Sequence, residues 1–226
     1  MDMHTIKPIA RIYNDYTSKF AIPRQSGISY NIKSLIVFEK EYRIDEALRG
    51  IEGFSHLWLI WGFSLVPQGK WSPTVRPPKL GGNKRMGVFA TRSPFRPNSL
   101  GLSSVKLEEV KRSHNNGICL VVSGADILNG TPIYDIKPYL PYTDIHSNAT
   151  GGFTDEIDIY ELNVIIPDSL KSKIDISKLN DLLDILKQDP RPSYHDDARI
   201  YGFSYGGLEI KFKVEDKLLT VVDIII

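Results

Sequence analysis

The sequence predicts a mainly β protein, with an N-terminal antiparallel β-barrel followed by a smaller C-terminal α+β domain. Three observations carry that expectation. The first two-thirds of the 226 residues is a succession of short runs rich in β-branched and aromatic residues, bounded by Gly, Pro, Asn or Ser clusters. Only one intervening stretch reads as a helix, which favours strands that close on themselves over an alternating βαβ sheet. No GxGxxG follows a strand, so the phosphate cradle of a dinucleotide-binding sheet is missing.

In chain order, strands are expected at Ile6–Tyr13, Ser34–Phe38, His56–Leu65, Gly87–Thr91, Leu102–Val110, Ile118–Ser123 and Ile133–Tyr139. A short helix is expected at Glu41–Arg49, stopped by Gly50 at the C-terminal glycine position. Composition shifts after about Thr150, which divides the chain into domains at 1–150 and 151–226. In the second domain a strand at Glu156–Ile166 precedes an amphipathic helix at Leu179–Lys187 with Ser177 as its N-cap, then a proline-stiffened turn at Asp189–His195. Arg199–Phe203, Leu208–Val214 and Leu218–Ile225 alternate like a small antiparallel sheet, with turns at Gly206-Gly207 and Glu215-Asp216.

Composition excludes several classes. The single cysteine, Cys119, lies in an apolar run, so no disulfide framework or cysteine-rich metal site can form within one chain. The five histidines show no metal spacing, and no metal is expected. No run reaches the eighteen or so apolar residues of a membrane span, and the first thirty residues lack a signal-peptide core. A cytoplasmic protein is therefore expected. The net charge of +1 hides an asymmetry, because Leu57 to Leu107 contains no Asp or Glu. Eight cations sit there: Lys70, Arg76, Lys79, Lys84, Arg85, Arg92, Arg96 and Lys106. The rest of the chain holds 20 basic against 27 acidic residues, so the segment has the footprint of a polyanion site.

Three segments carry the chemistry. In RMGVFATRSPFRPNSLGLSSVKL, Arg85–Leu107, Pro94 and Pro97 stiffen a loop that presents Arg92, Arg96 and Asn98. In GADILNGTPIYDIKPYLPYTD, Gly124–Asp144, Asp126, Asn129 and Thr131 cluster round Gly130 like the wall of a small-molecule site. There Asp135 and Lys137 share a face if the stretch is extended, and Tyr139 and Tyr142 are suited to stacking on a base. In GFSHLWLIWGF, Gly53–Phe63, Leu57, Leu59, Trp61 and Phe63 face one way and His56, Trp58, Ile60 and Gly62 the other.

With PRQSG at 23–27, GFSHLWLIW at 53–61, GVFATRSPFRPNSLGLS at 87–103 and DILNGTPIYDIKPYLPYTD at 126–144, the sequence resembles the TrmO, or TsaA-like, family. DPRPSY at 189–194 and YGFSYGGLEIKF at 201–212 resemble the extra domain of its bacterial-type members. The resemblance implies an S-adenosylmethionine (SAM)-binding barrel, a homodimer, and methylation of N6 of threonylcarbamoyladenosine at position 37, in the anticodon loop of threonine tRNA. Carried over by residue, it implies a cofactor site of Pro23, Arg24, Gln25, His56, Leu57, Arg96, Leu102, Lys106, Asp126, Ile127, Leu128 and Asn129. Two positions depart from the family pattern: Asn129 stands where aspartate is common, and Ser99 where proline is common, which implies a less rigid loop.

For methyl transfer to a delocalised nitrogen, a proton must also leave, so Asp135, Lys137 and Tyr142 are the candidate catalytic groups, with His56 a further base. Lys84, Arg85, Arg92, Asn98, Arg191 and Tyr194 are expected to face tRNA. The same residues also suit a non-catalytic RNA-binding barrel, or a SAM-dependent methyltransferase with another substrate.

Overall fold

The computed structural model describes residues 4–67, 69–77, 80, 84–156, 160–191 and 199–226. Its contacts divide into two compact units, one of Met1–Asp15, Arg24–Trp71 and Pro94–Leu140, the other of Tyr16–Pro23, Ser72–Ser93 and Pro141–Ile226.

The elements in chain order are β1 (Ala10–Tyr13), β2 (Lys33–Phe38), β3 (His56–Gly62), β4 (Thr74–Val75), β5 (Met86–Gly87), β6 (Leu100–Ser113), β7 (Gly117–Ser123), β8 (Pro132–Pro138), α1 (Pro141–Asp144), β9 (Asn163–Ile165), α2 (Asp168–Lys171), α3 (Ile176–Lys187), β10 (Tyr201–Tyr205), β11 (Leu208–Glu215) and β12 (Leu218–Ile225). Six strands of the first unit run antiparallel in the order β1-β2-β7-β6-β3-β8 and close on themselves, because β1 pairs with both β2 and β8. Alternating side chains fill the interior: Leu57 and Leu59 of β3, Val105 of β6, Leu120 and Val122 of β7, Ile36 of β2 and Ile12 of β1 are fully buried. Gly101 of β6 lies opposite Trp61, whose indole occupies the space that a Cβ at that glycine would need.

Two bulges interrupt the barrel ladders. Pairing of β6 with β7 skips Glu108, and pairing of β3 with β8 skips Tyr134. An unpaired extra residue bends its strand and re-aims its side chain.

The second unit contains the β4–β5 ribbon and a four-stranded sheet in the order β10-β11-β12-β9, with β9 parallel to β12. Leu182, Ile185 and Leu186 of α3 are buried, as are Phe203, Tyr205, Ile210, Phe212, Val214, Leu219 and Val221 of the sheet.

Four elements differ from the sequence expectation. The helix expected at Glu41–Arg49 is two 3-10 turns, Lys40–Tyr42 and Asp45–Leu48. Ile44 is extended between them, and the Arg43 guanidinium donates to the Phe38 carbonyl (2.9 Å), which ties the chain to the end of β2. The strand expected at Gly87–Thr91 is only β5, after which Val88 turns into the interior through a 3-10 turn, Val88–Ala90. The long strand expected at Glu156–Ile166 is represented by β9, which finds three partners on β12, and 157–159 lie outside the described residues. The N-cap of α3 is Asp175 rather than Ser177, its carboxylate accepting from both the backbone and the hydroxyl of Ser177.

Candidate active site

The period-two pattern of β3 sets the site. With Leu57, Leu59 and Trp61 inside, His56, Trp58 and Ile60 point outward. Register then decides their neighbours. His56 lies opposite Lys106, Trp58 opposite Ser104 and Lys137, and Ile60 opposite Leu102 and Asp135. The outer face of β6-β3-β8 therefore gathers His56, Leu102 and Lys106 from the expected cofactor set and Asp135 and Lys137 from the expected catalytic set. Lys137 pairs with Asp135 at 3.1 Å, both side chains remaining about half exposed. The Tyr139 ring packs 5.6 Å from Trp58 and 6.1 Å from His56, whose Nδ1 is 2.9 Å from the Ser55 hydroxyl.

At the end of β7 the chain turns at Gly124, φ 78°, where a side chain would run into Tyr30. Its carbonyl accepts from the Gly27 amide (2.9 Å), which seats the loop carrying Arg24 and Gln25 beside 124–129. Asp126 accepts a 2.5 Å hydrogen bond from Ser103, which in turn accepts from the Trp61 indole at 2.9 Å. Asn129 accepts from the Asn14 amide at 3.0 Å, so the acceptor that an aspartate would offer is retained without its charge. Leu57 and Ile127 are fully buried in the barrel core, and their side chains serve packing there. The Leu128 carbonyl closes the turn by accepting from Thr131.

Sequence reasoning missed Glu108, Ser103 and Tyr134. Glu108 pairs with Lys106 at 3.0 Å and accepts from Ser123 at 2.6 Å, and those two hydrogen bonds hold its carboxyl below the usual range. A signal existed: Glu108 is the first acid after the acid-free stretch. No local pattern marks Ser103 or Tyr134.

The remaining candidates lie on other segments of the chain. Arg96 and Asn98 lie in the first unit on the loop before β6, where the Arg96 carbonyl accepts from the Ser99 amide (3.2 Å) and hydroxyl (3.3 Å). Ser99 sits at φ 44°, a value proline cannot reach, so this loop is pinned by a turn where a looser one was expected. Pro23, Lys84, Arg85, Arg92, Tyr142 and Arg191 belong to the second unit. Lys84, Arg85 and Arg92 are exposed, Arg85 donating to the Thr74 hydroxyl at 2.9 Å across the ribbon. Tyr142 is 87% exposed on α1. Arg191, expected to face tRNA, is instead nearly buried and forks onto Asp189 through two 2.8 Å hydrogen bonds. Tyr194 and Lys79 lie outside the described residues.

The donor set fits SAM. A zwitterion with a sulfonium calls for a carboxylate, a cation and backbone amides, and Asp126, Lys106 and the glycine-turned 124–129 segment offer these chemistries. Among the described residues no cluster of three or more His, Cys, Asp or Glu is arranged to hold a metal ion. No helix among them is long and apolar enough to cross a membrane.

A closed antiparallel barrel with a polar, aromatic outer face, and no βαβ unit among the described residues, defines a class of β-barrel proteins distinct from the doubly wound enzymes. Comparison with known proteins narrows the class. The family model of the tRNA-methyltransferase O N-terminal domain matches residues 11–145, and that of the TrmO C-terminal domain matches 161–225. The chain is 36% identical to the tRNA (adenine(37)-N6)-methyltransferase of Escherichia coli K12, over 96% of this chain and 95% of that protein. It is 45% identical to the protein of the same name from Eikenella corrodens, over 72% and 92% of the two chains. The crystal structure of TrmO from Pseudomonas aeruginosa superposes with a TM-score of 0.79 at 30% identity, covering 99% of each chain. The chain belongs to the TrmO family.

Proposed function

We propose that this protein is a SAM-dependent tRNA methyltransferase acting on N6 of the adenine at position 37, in the form of threonylcarbamoyladenosine, in the anticodon loop of threonine tRNA. The observation that carries the reading is the single outer face on which β3 register brings His56, Leu102 and Lys106 beside Asp135 and Lys137. Family membership and the names of the relatives support it. SAM supplies an electrophilic methyl group to the attacking nitrogen. Arg24, Gln25, Lys106 and 124–129 would hold the cofactor, so that alignment at a near-attack distance of about 3–3.5 Å does most of the work. As the carbon–nitrogen bond forms and the carbon–sulfur bond breaks, the N6 proton leaves. In this reading Asp135 takes it, and its ion-pair partner Lys137 polarises a carbonyl oxygen.

The same proposal includes a homodimer in the cytoplasm, a catalytic domain at 1–150 and an accessory domain at 151–226. Mass spectrometry of tRNA nucleosides from cells with and without the gene tests it. Loss of N6-methylated threonylcarbamoyladenosine, restored by the gene, is expected. An unchanged nucleoside profile would refute the assignment.

A further inference from the structure

The two densest motifs of the sequence converge on a cavity that contains none of the residues expected to hold the cofactor. The cavity, about 460 Å³, opens where β3 ends and β6 and β8 begin. That size lies within the range of small-molecule sites, about 300–1,000 Å³. Asn98 and Ser99 come to it from the RPNS loop, Pro132 and Tyr134 from the segment after the GTP turn, and Phe63 and Ser64 from the end of β3.

Three features make it a built site. First, Tyr134 is the extra residue of the β3–β8 bulge, and bulges recur next to active sites because they re-aim a side chain. Its ring lies over Gly62, where any side chain would collide with it, so the ring's place is reserved by the sequence on the facing strand. Second, the opposite ring is braced. Phe63 packs edge-on against Trp61 at 4.4 Å between ring centres, and Trp61 is itself anchored through Ser103 to Asp126. Third, the lining mixes two aromatic rings with an amide and hydroxyls and has no charged side chain. That excludes a phosphate or the methionine part of SAM and suits a neutral, planar, edge-polar group. A further cavity, about 290 Å³, is the converse: Asp45, Glu46, Glu52, Arg49 and Arg112 line it, and Arg112 is paired with Asp45.

We infer that the cavity between the RPNS loop and Tyr134 receives the flipped-out acceptor base of the RNA, with the Phe63 and Tyr134 rings as its walls and Asn98 and the Tyr134 hydroxyl reading its edge. This rests on the methyltransferase reading and adds the base-binding subsite to it. A base must leave its stack before its N6 can be reached, and aromatic walls lower the cost of that exposure.

Asn98→Ala and Tyr134→Phe each remove one hydrogen-bonding group while leaving the rings and the barrel in place. Calorimetry with SAM and steady-state methylation of position-37-modified threonine tRNA are measured on wild type and both variants, with melting temperature as a control for folding. Expected is a rise in KM for tRNA of about two- to tenfold in each variant, with the SAM dissociation constant within about twofold of wild type. An unchanged KM in a folded variant overturns the subsite, and so does a loss of SAM affinity with KM for tRNA intact, which would assign the cavity to the cofactor. Failure of the methyltransferase reading is separately visible, because wild type itself would then transfer no methyl group.

Discussion

Asp189 and Arg191 show how a residue type misleads when its partner lies two positions away. A proline-rich turn with an arginine reads as a cation held out to a partner, yet the guanidinium and carboxylate form a nearly buried fork that also takes the Tyr160 hydroxyl at 2.8 Å. Removing one member of such a pair strands the other, so Arg191→Ala should cost about 3–5 kcal/mol of stability, read by denaturant unfolding; a loss below about 1 kcal/mol would show the pair to be idle. Burial pushes the Asp189 carboxyl up, but hydrogen bonds from Arg191 and Tyr160 outweigh it and leave the group below its ordinary value. A carboxyl lowered in the folded state stabilises the fold above the unfolded value, near pH 4, and that contribution is lost as pH falls through the folded value. The C-terminal part should therefore lose stability on acidification below about pH 4, and Asp189→Asn should flatten that part of the stability–pH curve. Asp126 is the corresponding test in the barrel. Asp126→Ala removes a carboxylate held by Ser103, and SAM affinity should drop by roughly 1.5–3 kcal/mol; an unchanged dissociation constant in a folded variant would take Asp126 out of the site.

Elements built on strict alternation were legible, and those that break it were not. In β3 the period of two by itself separates Leu57, Leu59 and Trp61 from His56, Trp58 and Ile60, and burial shows the first set to be the interior. The bulge positions of Glu108 and Tyr134 were hidden for the opposite reason. A bulge inserts one residue without changing composition, and only pairing with β7 or β3 shows which residue is extra. Likewise the approach of the Arg24–Gln25 loop to 124–129 includes a long-range hydrogen bond, from Gly27 to Gly124, that no local pattern announces. The expected helix at 41–49 breaks where the Arg43 backbone leaves the helical region and Ile44 is extended, while the Arg43 side chain is tied to the Phe38 carbonyl. Close approach at Gly101 gives a test at this scale. A methyl group there would meet the Trp61 ring, so Gly101→Ala should lower the melting temperature by several degrees, as overpacking costs about 1–3 kcal/mol. A melting temperature equal to wild type would mean the indole can move aside.

Across the whole molecule the charge is divided. Residues 151–226 carry nine basic and 15 acidic side chains, so the C-terminal part repels a phosphate backbone overall. Attraction must come from the acid-free segment, where Lys70, Arg76, Lys84, Arg85 and Arg92 are all exposed. Affinity for tRNA should then fall steeply with salt, by a log–log slope of about −0.7 per phosphate on single-stranded regions. Replacing Lys84 and Arg85 together by alanine should make the slope shallower and leave SAM affinity unchanged; an identical slope would show that the pair touches no phosphate. The central claim is the reaction itself. Purified protein given methyl-labelled SAM and threonine tRNA carrying threonylcarbamoyladenosine should place one labelled methyl group on N6 at position 37, and Asp135→Asn should slow that transfer while SAM still binds. Label appearing at another atom or on no tRNA at all, with SAM bound and the protein folded, would contradict the account.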